Sequence, residues 1–137
     1  MYTTSYSLPY PFNEVAPQLL EVPDFGCISY LDYCDGKFAF ERRVEGEIVI
    51  YDIEKNATEQ FIFKQRGYTC CLKWSKSGKY IALSQSEQIQ IFNAEEKRCI
   101  KCYDVEYGCF ADFYDNDTKL LIGTWKKGYL VDLEGII

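Results

Sequence analysis

The sequence predicts an all-β fold built from one repeated unit of antiparallel strands. Three short strands of similar pattern end at Asp52, Asn93 and Asp132, at separations of 41 and 39 residues. Such self-similarity indicates a repeat architecture. Turn residues recur about every 8 to 12 residues, β-branched and aromatic residues are enriched, and no long stretch has the 3.6-residue period of a helix. These observations favour short strands joined by tight turns.

The first repeat begins with an apolar strand over residues 27–31. A turn around Asp35-Gly36 leads into a second strand over 37–40, since Asp and Gly suit tight turns. A third strand is predicted over 46–54 and a fourth over 58–63. The unit is therefore four strands, read in chain order.

The second repeat has the same organisation. Its strands are predicted over 70–74, 80–84, 87–95 and 98–103, and Ser, Lys and Gly form the turn over 75–78. Trp74 lies in the first of these strands, and we interpret it as a packing residue rather than a binding residue.

The third repeat has only three strands before the sequence ends. They are predicted over 109–114, 119–123 and 127–135, with a turn at residues 115–117. Propellers usually close with about four to eight blades, so three repeats do not complete a disc. Either the chain is part of a longer propeller, or another chain supplies the remainder, or the blades form an open arc.

The placed repeats resemble the WD40 family, most clearly in GEIVIYDIE (residues 46–54) and CLKWSKSGKYIALS (residues 71–84). Tyr51-Asp52, Phe92-Asn93 and Val131-Asp132 stand where that family has its Trp-Asp dipeptide. The resemblance implies a WD40-type β-propeller with about three blades, over approximately residues 25–63, 68–103 and 107–137. Residues 1–24 form an N-terminal leader in this interpretation.

The leader resembles one subgroup of that family in particular. This subgroup is the WD40 (retinoblastoma-binding) subunit of COMPASS-type histone lysine methyltransferase complexes, and the order of its leader is reproduced by Leu8, Pro11, Phe12, Pro17 and Leu20. The resemblance implies a noncatalytic scaffold that assembles with other protein subunits in the nucleus and on chromatin. A generic WD40 adaptor in ribosome assembly, trafficking or ubiquitination is the alternative.

Two local structures are predicted within the leader. Asn13 caps one short helical turn over 13–21, which Pro17 interrupts. Residues 3–8 supply, in one interpretation, the missing outer strand of the third repeat. A half-propeller completed in this way would dimerise to six blades.

Strand connectivity predicts which loops share a rim. Loops between the second and third strands, and linkers between repeats, lie on one side of a propeller. They carry the candidate partner-binding residues Arg42, Arg43, Lys64, Arg66, Trp125, Lys126 and Lys127. This basic rim with an adjacent aromatic residue suits an acidic peptide, a phosphate backbone or an acidic protein surface. The family resemblance makes the rim a candidate contact for nucleosomal DNA or a histone. The alternative is that these are ordinary solvated loop charges.

The opposite rim is predicted to be acidic. It collects Asp35, Glu54, Glu95, Glu96, Asp115, Asp117 and Glu134, offset by Lys55, Lys76 and Lys97. We therefore expect the formal charge of -6 to be unevenly distributed, with one rim basic and the other acidic.

The composition argues against an enzyme. The chain contains no histidine, which removes the commonest general base and the usual zinc imidazole ligand. It also lacks the glycine-rich phosphate-binding motifs. Cys99-Ile-Lys-Cys102 has the spacing of a zinc or redox half-site, but no matching second pair follows, so we interpret both cysteines as structural. No catalytic residue, metal site or cofactor is predicted.

The N-terminal segment has neither a basic nor an apolar targeting region, and no stretch is long and apolar enough to span a membrane. Seven cysteines without such a signal favour reduced thiols. We therefore expect a soluble intracellular protein, nuclear or cytoplasmic, whose partners are other proteins.

Overall fold

The computed structural model describes residues 28–42 and 46–135, which form eleven strands and no helix. The first sheet contains β1 (Ile28–Cys34), β2 (Lys37–Arg42), β3 (Glu47–Asp52) and β4 (Ala57–Ile62). The second contains β5 (Thr69–Trp74), β6 (Tyr80–Gln85), β7 (Ile89–Asn93) and β8 (Arg98–Tyr103). The third contains β9 (Phe110–Tyr114), β10 (Lys119–Gly123) and β11 (Gly128–Asp132).

Each sheet is an antiparallel meander in which every strand pairs with the next one along the chain. The all-β prediction is confirmed, and each sheet corresponds to one predicted repeat. We therefore refer to the sheets as the first, second and third blades. The leader over 1–24, with its predicted strand and helical turn, lies outside the described residues, as do Cys27 and Arg43.

Strand β1 extends further than its sequence prediction, which ended at residue 31. Pairing continues to Cys34 opposite Lys37, directly at the turn. The two turn residues, Asp35 and Gly36, have φ angles of 47° and 83°. Positive φ at both central positions gives a turn whose twist matches the flanking strands, so the ladder can run up to it.

Most of the core lies between neighbouring blades, and a smaller apolar cluster lies within the first blade. Phe61 and Phe63 from the first blade pack against Phe92 of the second, with ring centroids 5.6 and 6.1 Å apart. Ile91 and Phe113 belong to a second cluster, which joins the second blade to the third. Each blade therefore depends on its neighbour to bury its apolar face, as expected for repeat proteins.

Trp74 connects the first two blades by hydrogen bonds as well as by packing. Its backbone N–H donates to the Asp32 carboxylate at 2.9 Å, and its indole Nε1–H donates to the Asp32 carbonyl oxygen at 3.1 Å. The side chain is 4% exposed. The interpretation of Trp74 as a packing residue agrees with this position.

Asp117 has the corresponding role between the second and third blades. Its carboxylate accepts hydrogen bonds from the backbone N–H of Lys76 at 3.1 Å and of Ser77 at 3.2 Å, and from the Ser77 hydroxyl. Asp117 is only 5% exposed. The sequence analysis counted it among the solvated acids of the acidic rim, but its charge is used to join two turns.

Gly67 occupies a position where any side chain would be strained. Its φ is +93°, and an added Cβ would overlap the Ser86 hydroxyl. That hydroxyl accepts a hydrogen bond from the Tyr68 backbone N–H at 3.2 Å, so it is not free to move away. The segment before β5 therefore requires glycine.

We expect Gly67→Ala to lower the free energy of unfolding by about 2 kcal/mol, measured by chemical denaturation. Gly36→Ala is the matched control, since Gly36 also has a positive φ but nothing would lie within 4 Å of its added Cβ. The control should cost about 1 kcal/mol through backbone strain alone. Equal losses in the two variants would show that the overlap with Ser86 is unimportant.

Candidate interaction rim

Five loops meet along one side of the three blades, and we call this side the linker rim. Their described residues are Gly46 and the ranges 63–68, 86–88, 104–109 and 124–127, together with the strand ends that flank them. Backbone hydrogen bonds join each loop to the next: Phe63 N–H to Gly46 O, Glu87 N–H to Arg66 O, Tyr107 N–H to Ser86 O, and Cys109 N–H to Gly123 O. These bonds of 2.8–3.2 Å form one continuous series along the rim.

The loops with the sequence-predicted candidates all contribute to this rim, but the candidates differ in environment. Arg42 is half-buried and forms an ion pair with Glu47 at 3.3 Å, so its charge is partly neutralised. Lys64 is exposed and Arg66 is partly exposed. Arg43 lies outside the described residues. Lys64 and Arg66 therefore provide the accessible positive charge at this end of the rim.

Trp125, Lys126 and Lys127 lie at the other end, in the loop between β10 and β11. The Thr124 hydroxyl organises this loop by accepting the backbone N–H groups of Lys126 at 3.3 Å and Lys127 at 3.0 Å. The Thr124 N–H in turn donates to the Lys127 carbonyl at 2.8 Å. Trp125 is 87% exposed at the tip. This ordered turn keeps the large indole exposed to solvent. Such a residue suits a protein interface, where Trp often contributes much of the binding energy.

Acidic residues separate these two basic clusters. Glu87, Asp104 and Glu106 are exposed on the intervening loops. The Gln88 amide donates to the Asp104 carboxylate at 3.0 Å, which joins two of those loops. The linker rim therefore has alternating charge, with positive ends and an acidic middle.

Two aromatic residues on the linker rim were missed by the sequence analysis. Tyr68 and Tyr107 are 52% and 44% exposed, and their ring centroids are 6.0 Å apart. Partial burial, followed by the nearby Tyr107, raises the pKa of Tyr68 above its usual value, so this phenol stays neutral at physiological pH. Both tyrosines lie in linkers between blades and next to a glycine, a shared position that the sequence could have revealed.

One groove on the opposite rim lies between the first two blades. It has a volume of about 540 Å³, and its charged lining residues are Lys37, Glu59, Lys79, Glu95 and Lys97. Lys97 forms an ion pair with Glu59 at 3.7 Å. Amines and carboxylates form ion pairs of this kind on any solvated surface. Such pairs differ from the arrangement of covalent catalysis, in which a base activates a neighbouring nucleophile.

Cys34, Cys70, Cys71, Cys99, Cys102 and Cys109, the cysteines of the described residues, are all free thiols. Desolvation and the neighbouring Cys102 thiol raise the pKa of Cys99 to about 11. In residues 28–42 and 46–135, no group of three or more His, Cys, Asp or Glu side chains converges as a metal site. That same part of the chain contains no helix long and apolar enough to cross a membrane.

Solved structures that resemble this chain are β-propellers. The β-propeller domain of Cps50 (Swd1) from Myceliophteria thermophila superposes with a TM-score of 0.64 at 16% identity, over 77% of this chain and 36% of that one. Hsv2 from Kluyveromyces lactis gives 0.66 at 9% identity, over 76% and 36%. A chain of the Mitotic Checkpoint Complex gives 0.64 at 13% identity, over 88% and 44%.

These likenesses confirm the predicted fold class, an all-β propeller of which the chain forms about three blades. The chain spans less than half the length of the three solved chains. No protein-family model matches the chain, and no curated protein sequence matches it.

Proposed function

We propose that this chain is a noncatalytic WD40-type scaffold that binds another protein subunit through its linker rim. The observation that carries the proposal is the exposed cluster of Trp125, Lys126 and Lys127, held outward by the Thr124 turn. An aromatic anchor beside exposed positive charges provides both a desolvated contact and electrostatic attraction.

The alternating charge of the linker rim favours a partner with a complementary pattern over a uniformly acidic one. The basic ends, Lys64 with Arg66 and Lys126 with Lys127, would meet acidic groups. The exposed Glu87 and Asp104 between them would repel a continuous phosphate backbone. A protein surface is therefore the partner that this rim fits best.

Within this class, we propose a histone lysine methyltransferase assembly of the COMPASS type. The proposal is supported by the sequence resemblance of the leader and first two repeats, and by the structural likeness to the Cps50 (Swd1) propeller domain. In such an assembly the linker rim would contact another subunit or a histone. Each basic end taken alone would also suit a short stretch of nucleosomal DNA, because phosphate contacts need only Lys or Arg.

The same proposal includes the source of the blades that would complete the propeller disc. The described residues supply eleven strands, and β11 ends the third sheet without a fourth strand among them. The remaining blades would come from a longer form of this chain, from another protein or from a second copy, unless the three blades form an open arc. Molar mass in solution distinguishes a homodimer from a monomer.

The test is copurification followed by charge reversal. The tagged full chain should recover a SET-domain methyltransferase, and the Lys126→Glu/Lys127→Glu variant should bind that complex about tenfold more weakly, with reduced salt dependence. The Lys55→Glu/Lys79→Glu variant is the matched control, because it makes the same charge change on exposed residues of the opposite rim. It should bind like the unmodified chain.

Two results would contradict the proposal at different levels. Recovery of a different complex, with the same sensitivity to Lys126 and Lys127, would retain the scaffold and reject the methyltransferase, in favour of the generic adaptor. Equal affinity of both charge-reversal variants would reject the linker rim as the binding surface.

A further inference from the structure

Strand β8 contains an irregularity that changes which of its side chains share a face. Ile91 of β7 pairs with Lys101, whereas the next residue, Phe92, pairs with Cys99. Ile100 is therefore an extra residue without a partner in the ladder. This is the arrangement of a β-bulge.

The bulge places Cys99 and Cys102 on the same side of the blade. In a regular strand, residues three apart point to opposite faces, because side chains alternate. Here Cys102 lies opposite Gln90 and Cys99 opposite Phe92, and these two residues of β7 share a face. Both cysteines are exposed, and their Sγ atoms are 3.7 Å apart.

The 3.7 Å separation suits a shared ligand better than a disulfide. Two thiolates at about 2.3 Å from a tetrahedral zinc ion lie about 3.8 Å apart. A disulfide instead needs Cα atoms usually about 4.4–6.8 Å apart. In a strand, the Cα atoms of two residues three apart are about 10 Å from each other, and a bulge shortens this distance only in part.

We propose that Cys99 and Cys102 form a two-thiolate binding site for a soft or borderline divalent metal ion of the zinc class. Binding replaces the two S–H protons with two metal–sulfur bonds, and two protons are released to the solvent. Water completes the tetrahedron, since no third His, Cys, Asp or Glu converges on the pair within the described residues. The exposed position on β8, the last strand of its sheet, leaves room for these waters.

The site does not depend on the proposed scaffold function. Soft thiolate ligands select zinc-like ions over calcium or magnesium, which prefer oxygen.

Cobalt(II) is the probe, because a thiolate–cobalt bond gives a charge-transfer absorption band in the near ultraviolet. The reduced full chain should develop this band and bind one equivalent of cobalt. Zinc should displace the cobalt and abolish the band. Cys99→Ser and Cys102→Ser should each weaken cobalt binding at least about tenfold.

The matched control is the double variant Cys70→Ser/Cys109→Ser, which removes two other partly or fully exposed thiols and should keep the band. Thermal melting of the apo forms checks that every variant folds. Loss of the band in the control but not in Cys99→Ser would overturn the proposal. So would an internal Cys99–Cys102 disulfide formed with glutathione disulfide in the presence of saturating zinc.

Discussion

Trp74→Ala is expected to lower the free energy of unfolding by about 3–5 kcal/mol, the range for removing a large buried aromatic side chain. The indole is 4% exposed and lies in the cluster between the first two blades. Its loss leaves a cavity and also orphans the Asp32 carbonyl, which now accepts the indole N–H at 3.1 Å. The effect should appear in chemical denaturation monitored by circular dichroism.

Two further variants divide this effect into its parts. Trp74→Phe keeps most of the packing but removes the indole donor, so it should cost about 1–2 kcal/mol. Trp125→Ala removes the same side chain from a position that is 87% exposed, and it should change stability by less than about 0.5 kcal/mol. A large loss for Trp125→Ala would contradict the assignment of that residue to the surface.

Asp117→Ala is expected to cost about 3 kcal/mol by the same measurement, because it removes the acceptor for two backbone N–H groups and one hydroxyl. Charge-assisted bonds of this kind are stronger than neutral ones. The loss should weaken the contact between the second and third blades, since Lys76 and Ser77 lie in the turn of one blade and Asp117 in that of the other.

Asp115→Ala is the control for backbone strain. Asp115 and Asp117 have φ angles of 54° and 64°, so alanine is similarly unfavourable at both positions. Asp115 is exposed, and the bonds it accepts from Thr118 go to its backbone oxygen. The control should therefore cost only about 1 kcal/mol. If both variants lost the same stability, strain rather than the Asp117 bonds would be responsible.

Local patterns were sufficient to predict the strands. Alternation of apolar residues identified β5 and β6, and the small polar residues between them identified the turn, because both signals depend on neighbours in the chain. The repeat spacing then predicted the order of strands in each blade. The end of β1 was placed too early, since continued pairing depends on the positive φ values of Asp35 and Gly36.

The linker rim was predicted only in part. Connectivity correctly grouped the loops that carry Lys64, Arg66 and Lys126, because a meander forces alternate connections to the same side. The sequence analysis did not include the acids between them, such as Glu87, or the contact between Tyr68 and Tyr107. These depend on how adjacent blades are rotated against each other, which no single repeat specifies.

The two cysteines on β8 show where local reasoning fails. Period-2 alternation puts Cys99 and Cys102 on opposite faces, so the spacing alone does not bring the two thiols together. One extra residue at Ile100 reverses this, because a one-residue slip changes the face of every later side chain. The sequence contains the spacing of the pair, but the bulge arises from pairing with β7.

The all-β class, the repeat and the order of strands within each blade were properties of the sequence alone, because they follow from periodicity and turn chemistry over a few residues. The packing of Trp74 against Asp32, the burial of Asp117 and the pairing of the β8 thiols required the tertiary structure. Each joins residues on different strands or different blades, so its energy depends on distances that spacing along the chain does not determine.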